Sequence, residues 1–143
     1  MKNKFKVYLA GIMFPYDDKV DKKMINEWRD YLKNSAEHRQ EIEFYDPRDW
    51  FGVKDDKKKI LDSDLVIVNY FRPSVGTSME ILWAYLNHVP VILINSSGKK
   101  ELSPWIHEHC IKIIDNKRRS KLEIANMLII ERSNEMMIKW LKH

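Results

Sequence analysis

The run Leu65-Val66-Ile67-Val68-Asn69-Tyr70-Phe71 leads straight into Pro73-Ser74-Val75-Gly76-Thr77-Ser78-Met79-Glu80, and then into an apolar segment at 81–86. The first stretch is continuously hydrophobic, as expected of a strand buried on both faces. The second carries Pro, Ser and Gly, the residues of a turn. The third reads as a helix. A strand, a turn and a helix in that order belong to an open parallel sheet, which holds ligands at the carboxyl ends of its strands. The pattern places one carboxylate, Glu80, in the first turn of this helix.

Working outward, Phe5-Lys6-Val7-Tyr8-Leu9-Ala10 alternates and is rich in strand formers, and Gly11 ends it. Residues 19–38 place Val20, Met24, Ile25, Trp28, Tyr31 and Leu32 on one helical face. Ile42-Glu43-Phe44-Tyr45 is a short strand stopped by Asp46-Pro47. A polar helix at 54–61 turns Ile60 and Leu61 inward. After the opening motif, Val91-Ile92-Leu93-Ile94 is a strand and Asn95-Ser96-Ser97-Gly98 a turn. A short helix is expected around Pro104, a strand at 111–114 and a long helix at 120–141. Strands and helices alternate throughout, without repeat or linker, which predicts one doubly wound α/β domain over 1–143. For five parallel strands we expect the flavodoxin-like order 2-1-3-4-5, flanked by helices.

The chain has 143 residues, enough for one core. Its net charge is +4, but 25 basic residues are interspersed with 21 acidic ones. The clusters Lys57-Lys58-Lys59 and Lys117-Arg118-Arg119 are short, so we read solvated surface rather than a partner nucleic-acid polymer. The single cysteine, Cys110, excludes an internal disulfide and suits a reducing compartment. No apolar run approaches a membrane span, and the N-terminus lacks a signal-peptide pattern. We expect a cytoplasmic protein. The helix after Glu80 is apolar nearly all round, and the last helix has more apolar positions than one face needs. A helix of that kind must be covered, so we expect a homodimer or higher homo-oligomer.

Thr77-Ser78-Met79-Glu80 fits a capping box, in which the Thr77 hydroxyl and the Glu80 carboxylate close the helix end. It fits equally a carboxylate kept ionised at the mouth of the sheet. Gly76 either lets a ligand approach the backbone or serves an ordinary turn. The Ser74 hydroxyl lies beside it. Tyr8 and Gly11 end the first strand, on the side of the crevice facing the Ser74–Glu80 loop. There a tyrosine either holds a carboxylate or simply alternates out of its strand. Asp62 and Asp64 precede the central strand and by position read as surface. His107-x-His109-Cys110 has no further ligand near it, so no metal is expected. No phosphate-binding glycine loop and no serine-nucleophile motif occurs.

Val7-Tyr8-Leu9-Ala10-Gly11 resembles the opening YLAG of the nucleoside 2-deoxyribosyltransferase superfamily. Asp64 with its hydrophobic strand, then Ser74-Val75-Gly76-Thr77-Ser78-Met79-Glu80, resembles the D…GxxxE signature, and Pro90-Val91-Ile92 the strand that follows. The resemblance covers residues 6–94. It implies an oligomeric flavodoxin-like enzyme that cleaves the N-glycosidic bond of 2′-deoxynucleosides or their 5′-monophosphates. It implies Glu80 as the nucleophile at C1′, Tyr8 as the group holding it and Asp64 at the departing base. Gly11, Ser74 and Gly76 would line the sugar and its 5′ end, with no cofactor. Ser74 stands where the transferases tend to carry aspartate, and resembles the branch that hydrolyses monophosphates. Ile12-Met13-Phe14 is apolar where that branch has small polar residues and an arginine, which leaves Arg72 or Arg48 for a phosphate. Two other readings use the same residues. One is a nucleotide-binding module without turnover, and the other a protein-interaction domain in which Tyr8 and Glu80 stay apart.

Overall fold

The computed structural model describes residues 3–13, 18–115 and 120–142, leaving aside the side chains of 18–21. The basic cluster at 117–119, Phe14, Pro15 and the Val20 side chain therefore lie outside the described residues. The strands are β1 (Phe5–Gly11), β2 (Ile42–Tyr45), β3 (Leu65–Tyr70), β4 (Val91–Asn95) and β5 (Lys112–Ile114). They form one parallel sheet in the order β2-β1-β3-β4-β5. The helices are α1 (Asp18–Ser35), α2 (Val53–Leu61), α3 (Val75–Leu86), α4 (Pro104–His109) and α5 (Lys121–Lys142).

The order follows from the hydrophobic pattern. β3 and β4 are apolar on consecutive residues because both faces are covered, and their burial is unbroken from Leu65 to Asn69 and from Val91 to Asn95. On one face, Val7, Leu9, Ile67 and Ile92 pack with Trp28 and Leu32 of α1 and Ala125 and Ile129 of α5. On the other, Tyr8, Ala10, Val66 and Leu93 pack with Ile60 of α2, Ile81 and Ala84 of α3 and Ile106 of α4. The order of strand addition reverses between β1 and β3, so their carboxyl ends open the crevice of the sheet.

Some boundaries differ from the sequence reading. A 3-10 turn at Pro47–Asp49, not foreseen, follows β2; Asp46 caps it through the Arg48 amide at 3.0 Å. Helix α1 stops at Ser35, where Glu37 N–H bonds back to Asn34 and Arg39 N–H to Ala36 in tighter turns. Ile111 lies outside β5, more than half exposed, with only its N–H on the Val91 carbonyl.

A fully buried arginine ties α1 to the sheet. Arg29 donates through Nε and Nη2 to the Leu9 carbonyl, each at 3.2 Å, and through Nη1 to the Ile25 carbonyl at 2.8 Å. Asp46, also buried, lies 3.9 Å from its Nε. Burial pulls the Arg29 pKa down to about 10 against the opposing Asp46 charge. Burial alone would push Asp46 up, but hydrogen bonds from Arg48 and Lys33 overcome it and hold Asp46 near 2.

Candidate functional site

Tyr8 and Glu80 meet although 72 residues separate them: the Tyr8 hydroxyl donates to Glu80 Oε2 at 2.5 Å. The parallel register explains this. Tyr8 is paired with Val66, one residue into β3, and points to the face on which α3 runs back over the strands. Tyr8 is fully buried and Glu80 half-buried. Burial and the Glu80 charge both disfavour a tyrosinate, so Tyr8 stays a donor. For Glu80, burial is the largest influence and pushes its pKa up, to about 7. The Tyr8 hydrogen bond and the Arg29 charge pull down, while the Asp56 charge pushes up.

The helix around Glu80 is capped differently from the expected box. Helix α3 begins at Val75, and Ser74 is its N-cap, accepting from the Thr77 amide at 3.4 Å. Glu80 therefore falls in the second turn and closes no cap. Thr77 is buried, and its hydroxyl has no hydrogen-bond partner among the described residues. The reason is one of phase. Ser74 is extended, at φ −148°, which is the backbone an N-cap needs. That starts the helix at Val75, two residues before Thr77.

Gly76, in the first turn of α3, has no positive φ, and a Cβ built on it would meet nothing within 4 Å. The turn thus presents open backbone, and Val75 and Gly76 carry amides that helix geometry leaves without an internal partner. Gly11 is constrained from inside. A Cβ there would lie 3.1 Å from Trp28 Cζ2 and 3.3 Å from the Asn69 carbonyl, so packing, rather than a ligand, requires the glycine.

Asp64 is not brought to this place. It sits at the amino end of β3, where its Oδ2 accepts from the Lys6 amide at 2.9 Å while its own amide donates to the Lys6 carbonyl at 2.8 Å. It lines a small cleft with His88, Arg132 and Lys139 instead. The expectation that Asp64 faces the Glu80 crevice is corrected: a residue before a parallel strand lies at the sheet's amino edge, away from the ligand end. The carboxylate whose charge acts on both Glu80 and Tyr8 is Asp56, on α2. The Trp50 indole N–H donates to Asp56 Oδ1 at 2.7 Å, and the Trp50 ring lies 6.1 Å from that of Tyr8. Sequence reasoning missed Asp56 because Lys54-Asp55-Asp56-Lys57 looks like solvated surface. The available signal was its spacing of four from the inward-facing Ile60, which puts both on one helix face.

Of the two arginines considered for a phosphate, Arg48 is committed to Asp46 at 2.6 Å, Asp30 at 2.8 Å and Asn26 at 3.1 Å. Arg72 lies over the Phe71 ring, 4.9 Å from its centroid. His109 packs edge-on against Tyr85, with Nδ1 2.6 Å from the Trp105 carbonyl. Burial pushes the neighbouring Cys110 thiol up to about 12, the behaviour of an inert core cysteine. No helix among the described residues is long and apolar enough to cross a membrane.

A five-stranded parallel α/β sheet with a tyrosine–carboxylate pair in its crevice defines the class. No family model matches the chain, and no curated protein matches it by sequence. Solved structures share the fold. A conserved protein from Enterococcus faecalis V583 superposes with a TM-score of 0.64 at 16% identity, over 90% of this chain and 99% of that one. The 2-deoxyribosyltransferase of Bacillus psychrosaccharolyticus gives 0.61 at 18% identity, over 78% and 86%. The CMP N-glycosidase BcmB of Clostridium botulinum gives 0.52 at 22% identity, over 84% and 98%. The last two belong to the superfamily that the sequence motifs resemble.

Proposed function

We propose that this protein cleaves the N-glycosidic bond of a 2′-deoxynucleoside or its 5′-monophosphate. The observation that carries the reading is the Tyr8–Glu80 hydrogen bond at 2.5 Å, in a crevice at the switch point of the sheet. An interaction domain has no use for such a pair, and its expectation of a separated tyrosine and glutamate does not fit this distance. The names of two fold neighbours, a 2-deoxyribosyltransferase and a CMP N-glycosidase, support the same chemistry.

The Glu80 carboxylate attacks C1′ as the C1′–N bond breaks, and the bonding pair leaves with the base. A covalent glycosyl-Glu80 ester remains. Water or an acceptor base then attacks C1′ from the opposite face and frees the carboxylate, with net retention. A pKa of about 7 keeps a sizeable fraction of Glu80 ionised at neutral pH. Tyr8 fixes the oxygen that does not attack. The departing base gathers negative charge and takes up a proton from solvent water, which the ionised Asp56 carboxylate orients. Asp56, which stands beside Tyr8 and Glu80, takes the role at the base that the motif comparison had given to Asp64. The open backbone at Gly76 and the Ser74 hydroxyl line the sugar and its 5′ end, with Gly11 closing the floor. No cofactor enters. The exposed apolar positions of α3 are covered by a second copy, giving a homo-oligomer.

Purified protein is incubated with deoxynucleosides, their 5′-monophosphates and CMP, with and without an acceptor base, and free base is measured. Glu80→Gln keeps the shape of the site and removes the nucleophile, so turnover should fall by at least about 10³-fold with ligand binding retained. Equal turnover in Glu80→Gln, or no base released from any substrate by the parent, overturns the reading. Binding by the parent without turnover would instead mark a sensing module.

A further inference from the structure

We infer that Trp50 is a positioning residue: its indole N–H fixes the Asp56 carboxylate beside Glu80 in the orientation that serves the departing base. The inference rests on the N-glycosidic reading and deepens it.

Trp50 occupies the short link between the 3-10 turn at Pro47–Asp49 and helix α2. Both ends of the link are held. Asp46 caps the turn through the Arg48 amide at 3.0 Å. Gly52 turns the chain into α2 at φ 105°, a conformation open to glycine and strained for other residues. The neighbouring Phe51 is almost wholly exposed, so the link has not collapsed onto the core at random. It carries one aromatic ring inward and leaves the next in solvent.

The inward ring touches two members of the site. Its centroid is 6.1 Å from that of Tyr8, tilted by 46°, and its N–H reaches Asp56 Oδ1 at 2.7 Å. Trp83, on the same side of the sheet, is the internal contrast: its indole N–H goes to the backbone carbonyl of Lys57 at 3.1 Å. An indole satisfied for packing alone needs no more than that. The Trp50 donor instead holds the one carboxylate whose charge acts on both Tyr8 and Glu80. Asp56 stands in the first turn of a polar helix, where a short side chain samples several rotamers. A charge-assisted hydrogen bond is short and directional, and it selects one of them. The Trp50–Asp56 pair therefore acts as a unit on the leaving-group side, as Tyr8–Glu80 does on the nucleophile side.

The test is a double-mutant cycle on kcat and KM for base release, using the parent, Trp50→Phe, Asp56→Asn and the double variant. Trp50→Phe keeps an aromatic ring and removes the N–H. In the parent background it should lower kcat about tenfold with KM within about twofold, the loss of one charge-assisted hydrogen bond. In the Asp56→Asn background it should change kcat by less than about twofold, because the group it acts through is gone. Equal losses in both backgrounds, no loss in either, or a rise in KM at constant kcat would each overturn the inference. If Trp50→Phe does not fold, benzothienylalanine at position 50 replaces it, with sulfur in place of the N–H in a ring of the same shape. A parent that releases no base defeats the N-glycosidic reading and this inference with it. A parent that turns over with additive losses defeats the inference alone.

Discussion

Glu80 is governed by opposing influences, of which burial is the largest. Burial and the Asp56 charge push its pKa up, while Tyr8 and Arg29 pull it down, leaving it at about 7. If Glu80 must be ionised to attack, the rate of base release rises with pH through that value. Tyr8→Phe removes a downward influence, so this acid-side limb should move to higher pH, with kcat at pH 7 falling about 10- to 100-fold. Asp56→Asn removes an upward influence, so the limb should move to lower pH even as the plateau drops. A pH profile of each variant checks both signs, and movement of both limbs in one direction contradicts the arrangement. Ser74 changes meaning at this scale too. It caps α3 through the Thr77 amide, while its own hydroxyl hydrogen remains to be given to a sugar or phosphate oxygen. One residue thus starts the helix and faces the ligand end of the sheet.

Among the elements, α3 joins the site to the exterior. Its inner face, with Ile81 and Ala84, packs on the sheet. Its outer face leaves Val75, Met79, Tyr85 and Leu86 each more than half exposed, and Trp105 of α4 is exposed beside it to 73%. Exposed apolar residues on adjoining helices form the kind of patch that marks an interface. The prediction belongs to this face: light scattering on a sizing column should give an oligomer for the parent and a monomer for Leu86→Glu, because an unpaired charge in an apolar interface costs several kcal/mol. A monomeric parent would contradict it. Helix α2 is the element whose reading changed most. Its charges looked like surface, and Lys54, Asp55, Lys57 and Lys58 are exposed, while Asp56 and Lys59 are partly buried. Asp56 shares a face with Ile60 and so looks toward Tyr8 rather than solvent.

At the scale of the whole molecule, Arg29 and Asp46 bind three elements. Arg29 of α1 reaches the β1 backbone, and Asp46 follows β2 and gathers Arg48 and Lys33. Both side chains are buried, so removing one charge leaves the other without compensation. Asp46→Asn should lower unfolding free energy at pH 7 by about 3 kcal/mol. The sign with pH is fixed by the shift. Asp46 is held at about 2 against an ordinary 3.8, so its contribution is present above 3.8 and is lost as pH falls toward 2. Urea unfolding between pH 7 and pH 2 should show parent and variant converging at the acid end. A constant difference across that range, or none at pH 7, would contradict it.

Much of this protein was written in local sequence. Continuous apolar runs gave buried parallel strands, three-and-four spacing gave helices, and Pro73 to Glu80 marked a strand-to-helix turn at the ligand end of the sheet. The strand order followed, whereas the contact of Tyr8 with Glu80 was left open by the residues themselves and implied only by the family resemblance. These features depend on a residue and its close neighbours along the chain. What tertiary structure alone decided depends on register and face. It moved the cap from Thr77 to Ser74 and Glu80 into the second turn. It sent Asp64 to the amino edge of the sheet and brought Asp56, Trp50 and Arg29 to the crevice from three separate helices or links. Their charges and rings look like ordinary surface in the sequence. Which of them face Glu80 is set by how the helices cross the sheet, a relation between residues 24 to 51 positions apart along the chain.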